Sequence, residues 1–152
     1  MSPQQQRLDN LFAKAVCMKA TEPIKQGATI AVTLAEEGPF SLIKSRDRMV
    51  VSPAPPLTPD LSFLIPLPAL SVLEKVESSS VGDVGIEILK LMVHGDPEYR
   101  IQAKVHLGLF SLLRHGYLSV LTLGGPAVMK FLASKGLTNM GKIKDAIARM
   151  KT

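Results

Sequence analysis

Residues 28–52 of the chain read ATIAVTLAEEGPFSLIKSRDRMVVS, and this pattern predicts three consecutive antiparallel strands. Apolar side chains recur at every second position, which is the period of a half-buried strand. Two groups of turn-forming residues, at 36–39 and 45–47, separate the predicted strands. The strands are expected at residues 29–34, 40–44 and 48–52. The sequence therefore predicts a three-stranded meander.

A helix and a proline-rich loop flank the meander. Apolar residues recur at helical spacing across residues 4–18, which predicts one amphipathic helix. Four prolines in residues 53–59 remove backbone donors and restrict the preceding residues to extended conformations. We expect an ordered loop there, because a chain of one domain's size cannot easily divide at that point. Residues 60–65 then predict a short strand, and residues 69–76 a helix.

The C-terminal half alternates helical and strand patterns. Asp83 is a candidate cap for a helix over residues 84–93 that is apolar on most sides. Residues 99–106 alternate as a strand, and residues 118–123 fit either a strand or a helix. Further helices are expected at residues 109–115, 127–135 and 139–150. The fold class predicted is α+β, with about five mostly antiparallel strands covered by helices.

Length and composition are those of one ordinary domain. The chain has 152 residues, of which 46% are hydrophobic, and this excludes a disordered chain. Its one cysteine, Cys17, excludes an intramolecular disulfide framework and fits a reducing compartment, so a cytoplasmic location is expected. No secretory signal is expected, because residues 1–10 are polar. Charged, glycine and proline residues interrupt the most apolar stretch, residues 107–133, and argue against a transmembrane span.

Positive charge is concentrated in the last third of the chain. Residues 1–98 hold nine basic and twelve acidic side chains, whereas residues 99–152 hold nine basic side chains and one acid, Asp145. A solvated helix face, an anionic membrane surface and nucleic acid would each fit this imbalance. Nucleic acid is disfavoured, because the basic residues are scattered singly and the chain has no Trp and only two Tyr.

The residues that could carry catalysis or hold a metal have more ordinary explanations. His94, Asp96 and His106 bracket one strand, but their spacing is irregular, so isolated histidines are expected. Cys17 would need a neighbouring base to act as a nucleophile, and none is evident. Residues 124–126 precede a helix but lack the lysine of a nucleotide loop, which favours a turn. We therefore predict no enzyme activity, no catalytic residue, no metal and no cofactor.

The helices around residues 84–93 and 107–133 are apolar around more of their circumference than one sheet-facing stripe requires. Flexible methionines such as Met92 and Met129 add to this excess. Burial in a core explains any single residue best. Taken together, the excess surface must meet a ligand, a partner or a bilayer.

The order of elements over residues 26–115 resembles the sterol carrier protein 2 family. The resemblance rests on four segments: the meander at residues 28–52, Pro59-Asp60-Leu61-Ser62-Phe63, the Leu-rich helix at residues 67–73, and the strand at residues 99–106 running into Leu107-Gly108-Leu109-Phe110. It implies a five-stranded sheet whose helices enclose an apolar tunnel for fatty acyl chains, sterols or other lipids.

The chain departs from that family in its last part. Many members carry Gly-Asp where this chain has Val105-His106, and residues 116–152 add a C-terminal helical extension. The peroxisomal C-terminal tripeptide is also missing, which argues against a peroxisomal location. We treat residues 1–152 as one domain, with an N-terminal helix at residues 1–20 and a family-like core at residues 26–115.

Our leading hypothesis is non-enzymatic binding or transfer of a lipid in an apolar tunnel. The predicted lipid-binding residues are Leu64, Leu67, Ile86, Leu89, Met92, Phe110, Leu113, Leu121, Met129 and Leu132. Lys104, Arg114 and Lys130 are the predicted contacts for a head group or for an anionic membrane surface. The alternative is an interaction subunit that buries its excess apolar surface in a homo- or hetero-oligomer. A small enzyme acting on an acyl substrate has no supporting set of residues.

Overall fold

A computed structural model describes residues 1–150 and centres on one five-stranded sheet. The strands are β1 (Thr29–Leu34), β2 (Glu37–Ser45), β3 (Arg48–Ser52), β4 (Leu61–Ile65) and β5 (Gln102–Val105). Their order across the sheet is β3-β2-β1-β4-β5, with β1 and β4 parallel and the other neighbours antiparallel. The predicted meander and the mostly antiparallel sheet of an α+β fold are confirmed.

Eight helices accompany the sheet within residues 1–150. They are α1 (Pro3–Phe12), α2 (Ala15–Ala20), α3 (Leu67–Glu74), α4 (Val81–Met92), α5 (Leu109–Arg114), α6 (Tyr117–Leu123), α7 (Gly125–Ser134) and α8 (Met140–Arg149). Residues 118–123, for which the pattern left two options, are helical. The predicted single helix over residues 4–18 is wrong, because Lys14 adopts an extended backbone between α1 and α2.

The break at Lys14 has a packing reason. The Lys14 ammonium donates a 2.9 Å hydrogen bond to the carbonyl oxygen of Glu74 in α3. With the chain bent there, α1 packs on β3 while α2 reaches α4. One straight helix could not make both contacts. The turn therefore closes the N-terminal end of the core.

The core lies on one face of the sheet. The alternation in β1 places Val32 and Leu34 on this face, beside Phe40 of β2, and all three are almost completely buried. Full burial of a side chain of this size contributes about 1.5–3 kcal/mol each. Helices α1 to α4 cover the same face with buried residues that include Leu8, Leu11, Val16, Leu70, Leu73, Val84 and Leu91.

The other face of the sheet, the outer face, carries smaller and more polar side chains. Leu64 lies on it, paired with Thr33 and Gln102 on the neighbouring strands. The Ser41 hydroxyl donates a 2.6 Å hydrogen bond to the Ala54 carbonyl oxygen at the start of the proline-rich segment. That segment joins edge strand β3 to β4 within one sheet, which confirms a loop.

Helix α4 lies between two apolar clusters. Val84 and Leu91 belong to the sheet core, whereas Ile86 and Leu89 pack on a second, smaller cluster. The buried members of the second cluster are Val128, Leu132 and Ile143 of α7 and α8. The absence of a side chain at Gly85 brings α7 close, since a Cβ there would lie 3.1 Å from Val128 Cγ2. Helix α4 is therefore apolar on most sides because it packs on one cluster with one face and on the other cluster with another.

Three predicted boundaries move for identifiable reasons. Strand β2 begins at Glu37, inside the predicted turn, because the chain reverses at Ala35 with a φ of 54°. Helix α4 begins earlier than expected, because the Ser80 hydroxyl, and not Asp83, caps it. Strand β5 is shorter than residues 99–106, since the Ile101 amide donates to Leu91 in α4 rather than to a strand.

Candidate functional site

A buried carboxylate joins three parts of the fold at one end of the sheet. Asp60, which precedes β4, is only 6% exposed. Its Oδ2 accepts hydrogen bonds from the Thr29 amide at 3.3 Å, His115 Nδ1 at 2.9 Å and the Tyr117 hydroxyl at 2.8 Å. Because a carboxylate only accepts, the His115 proton lies on Nδ1. We call Asp60, His115 and Tyr117 the polar cluster.

The backbone around the polar cluster is fixed as well. Gly116, between the two C-terminal members, has a φ of +89°. A Cβ at Gly116 would lie 1.9 Å from the Pro23 carbonyl oxygen, so only glycine fits. The Lys25 amide donates a 3.0 Å hydrogen bond to the His115 carbonyl oxygen. The segment that follows α5 is therefore held against the turn that precedes β1.

The electrostatics of the polar cluster favour a structural role. Burial and the Asp60 carboxylate both raise the pKa of the Tyr117 hydroxyl far above its usual value. The phenol therefore keeps its proton as a hydrogen-bond donor. This arrangement is suited to holding α5 and α6 against the sheet.

A second histidine, His106, lies beside the polar cluster. The His106 Nε2 atom is 2.6 Å from the Ser62 hydroxyl oxygen, and the His106 backbone amide donates a hydrogen bond to the Asp60 carbonyl oxygen. A serine beside a histidine is half of a nucleophilic arrangement. Both residues, Ser62 and His106, lie outside the sets of residues that line the two clefts described below.

Two of the three histidines lie at helix ends: His94 follows α4 and stacks on Tyr99 with ring centroids 5.1 Å apart, and His115 caps α5 and binds Asp60. The His106 ring contacts Ser62, and only the His106 backbone amide binds Asp60. The antiparallel pairing of β4 with β5, which places residue 60 beside residue 106, is the signal that could have shown part of this. Within residues 1–150, no group of three His, Cys, Asp or Glu side chains is arranged to hold a metal ion.

Cys17 lies in an environment that suppresses its reactivity. The side chain is 6% exposed within the sheet core. Burial raises the pKa of the Cys17 thiol, which lowers the fraction of reactive thiolate. The cysteine therefore behaves as a small apolar residue of α2.

An exposed apolar patch lies on the short helix that leads into the polar cluster. Phe110 of α5 is 72% exposed and Leu113 is 47% exposed, whereas Leu112 of the same helix is buried. The Arg114 guanidinium carbon lies 6.0 Å from the Phe110 ring centroid. Since residues three and four apart share a helix face, Phe110, Leu113 and Arg114 form one surface. We call these three residues the α5 patch.

The predicted lipid-binding residues divide into separate groups. Ile86, Leu89, Leu121, Met129 and Leu132 meet in the second cluster. Leu67 and Met92 pack on the sheet core, Leu64 lies on the outer face, and Phe110 and Leu113 belong to the α5 patch. The three predicted head-group contacts, Lys104, Arg114 and Lys130, are exposed.

Two open clefts lie elsewhere on the surface. One, of about 540 Å³, is bordered by charged side chains that include Lys19, Glu22 and Lys44. The other, of about 480 Å³, lies between the start of α4 and the segment before it, and Ile86 is the one predicted lipid-binding residue that lines it. Both are open to solvent and partly polar.

The helices of the chain are short compared with membrane spans. No single helix within residues 1–150 is long and apolar enough to cross a membrane. Helices α6 and α7 reach the required length and hydropathy only as a pair, and the pair is bent by 101°.

Comparison with known proteins completes the description of the site. No family model, no curated protein and no solved structure matches the chain. The likeness to the sterol carrier protein 2 family therefore rests on the order of elements alone and stays a prediction.

Proposed function

We propose that this protein is a non-enzymatic binding protein that docks on a partner surface through the α5 patch. The observation that carries the proposal is the 72% exposure of the Phe110 side chain. A large aromatic side chain left in water, next to an exposed leucine and an arginine, is characteristic of a docking surface. This corresponds to the interaction subunit that the sequence analysis kept as its alternative.

The attachment of α5 supports this proposal. Leu112 anchors the inner face of the helix, and the His115 hydrogen bond to Asp60 follows directly after its last turn. A patch fixed in this way loses little conformational entropy when a partner binds. The internal hydrogen bonds of the polar cluster and the open, partly charged clefts also favour binding over catalysis.

The proposal is tested with a serine substitution at Phe110. The native protein is extracted gently, and its assemblies are sized by chromatography with light scattering. We expect wild-type chain in a complex or with membranes, and Phe110→Ser as the free 16.4 kDa chain. Leu57→Ser is the matched control, because Leu57 is 99% exposed in the proline-rich loop. Recovery of wild-type chain only as a free monomer that associates with no membrane would overturn the proposal.

A lipid carrier with an apolar tunnel is the second candidate. It is favoured by the convergence of five predicted lipid-binding residues on the second cluster, where Ile86, Leu89, Leu121 and Met129 are only partly buried. An acyl chain would have to enter between α4 and α7. Denaturing extraction of freshly purified protein, followed by lipid mass spectrometry, tests this candidate. Lipid that copurifies with Phe110→Ser as well as with wild type would support a tunnel, and lipid-free protein would refute it.

A further inference from the structure

We infer that the surface on which the α5 patch docks is an anionic lipid bilayer. This inference rests on the proposed function and names its partner. The structure offers three observations that bear on the partner: the exposed apolar side chains, the charge of the elements beside them, and the rigidity of their attachment.

The C-terminal part of the chain, to which α5 belongs, carries a net positive charge. Asp145 is the one acid in residues 99–152, against nine basic side chains. The exposed bases of this region are Lys104, Arg114, Lys130, Lys135, Lys142 and Arg149. Each basic residue near an anionic bilayer increases binding by roughly fivefold. The net positive charge of residues 99–150 complements a bilayer that carries negative charge.

The position of α8 connects these charges to the α5 patch. Helix α8 contacts α5, and the Met150 carbonyl oxygen at its end accepts a hydrogen bond from the Val105 amide of β5. Lys142 and Arg149 therefore belong to a helix that contacts α5. This arrangement, apolar side chains flanked by basic ones, is that of surfaces that insert into the head-group region.

The form of the patch favours a bilayer over a protein partner. Phe110 is 72% exposed on a helix of only six residues, so it projects from the surface. A protein partner would need a pocket complementary to that ring, whereas a bilayer accepts a projecting side chain without one. The hydrogen bond from His115 to Asp60 holds the residue that directly follows α5 in place.

Vesicle co-sedimentation tests the inference with the full chain. We expect binding to vesicles of phosphatidylcholine with phosphatidylserine, weak binding to phosphatidylcholine alone, and a loss of affinity as salt is added. Phe110→Ser should weaken binding by about tenfold or more. Leu57→Ser should leave it unchanged, and circular dichroism should show that both variants remain folded.

Paired charge reversals separate local from net charge. Lys142→Glu with Arg149→Glu should weaken binding by about tenfold or more. Lys75→Glu with Lys90→Glu changes the net charge equally at exposed positions after α3 and in α4, outside the helices α6 and α8 that contact α5, and should change binding by less than about threefold. An equal loss in the two double variants would overturn the inference, because net charge alone would then explain binding.

The outcomes also separate this inference from the proposed function. If the protein binds no vesicle, but Phe110→Ser disrupts a complex with another protein, the inference of a bilayer partner is wrong and the proposed function stands. If Phe110→Ser changes neither vesicle binding nor assembly, both are wrong. Equal binding to charged and uncharged vesicles would also overturn the anionic bilayer.

Discussion

The Tyr117 hydroxyl donates a 2.8 Å hydrogen bond to Asp60 Oδ2, an oxygen that also accepts a hydrogen bond from His115 Nδ1. Asp60 and Tyr117 are 57 positions apart along the chain, and their hydrogen bond connects the start of β4 to the start of α6. The position of the α5 patch depends on this connection, because α5 ends one residue before His115.

Loss of the Asp60 carboxylate should destabilise the fold. Asp60→Ala leaves the Thr29 amide, His115 Nδ1 and the Tyr117 hydroxyl without their acceptor, which should cost about 2–4 kcal/mol. Urea unfolding at neutral pH measures this change. Asp145→Ala, on an exposed position of α8, should change the free energy of unfolding by less than about 0.5 kcal/mol. Similar values for the two variants would contradict the anchoring role of Asp60.

Tyr117 should make the protein sensitive to alkali. The folded state raises the pKa of its phenol above the unfolded value of 10, so the unfolded state loses the proton first as the pH rises. Stability that is fully present below pH 10 should then fall by up to about 1.4 kcal/mol per pH unit. Tyr117→Phe should flatten this fall, whereas Tyr99→Phe should not. Cys17 and Lys44 titrate in both variants, so the difference isolates Tyr117.

Gly116 should not tolerate a side chain. Gly116→Ala combines a φ of +89° with a Cβ 1.9 Å from the Pro23 carbonyl oxygen, and the backbone must move. We expect a loss of roughly 3 kcal/mol or more in the free energy of unfolding. Gly136→Ala is the matched control, since Gly136 has a φ of +87° but no atom within 4 Å of its Cβ position. It should lose only about 1–2 kcal/mol. Equal losses would show that contact with Pro23 is unimportant.

An ion pair between α1 and α3 should give a small acid-sensitive contribution. The Arg7 guanidinium hydrogen-bonds Glu74 and lowers the pKa of that carboxyl below its usual 4.5. Its stabilisation is present above pH 4.5 and is lost as the pH falls through the folded-state pKa. Both side chains are about one-third exposed, so the effect should stay below about 1 kcal/mol. Glu74→Gln should abolish it, as measured by urea unfolding across acid pH.

The features of the fold that depend on residues close together in the sequence could be predicted. The period of two in residues 28–52 gave the meander, because alternate residues of a strand share a face. The prolines of residues 53–59 predicted the loop. The parallel pairing of β1 with β4 could not be read in this way, since it depends on contacts across the whole loop.

The candidate site was less accessible to sequence reasoning. Five of the predicted lipid-binding residues pack together in the second cluster. Helical spacing alone does not show whether such residues contact a ligand or one another. Leu64 lies apart from these five residues, because the alternation of a strand defines two faces but does not show which face the helices cover. The polar cluster went unnoticed, since Asp60 and His115 are distant in sequence.

The position of α4 between the two clusters has a consequence for cooperativity. Because α4 packs on both clusters, a substitution on either face of this helix should change the stability of both. The sheet core and the second cluster should therefore unfold in a single transition. A chain that ends before α5 would leave Ile86 and Leu89 facing water and become prone to aggregate. We therefore expect the C-terminal helices to fold and unfold together with the sheet.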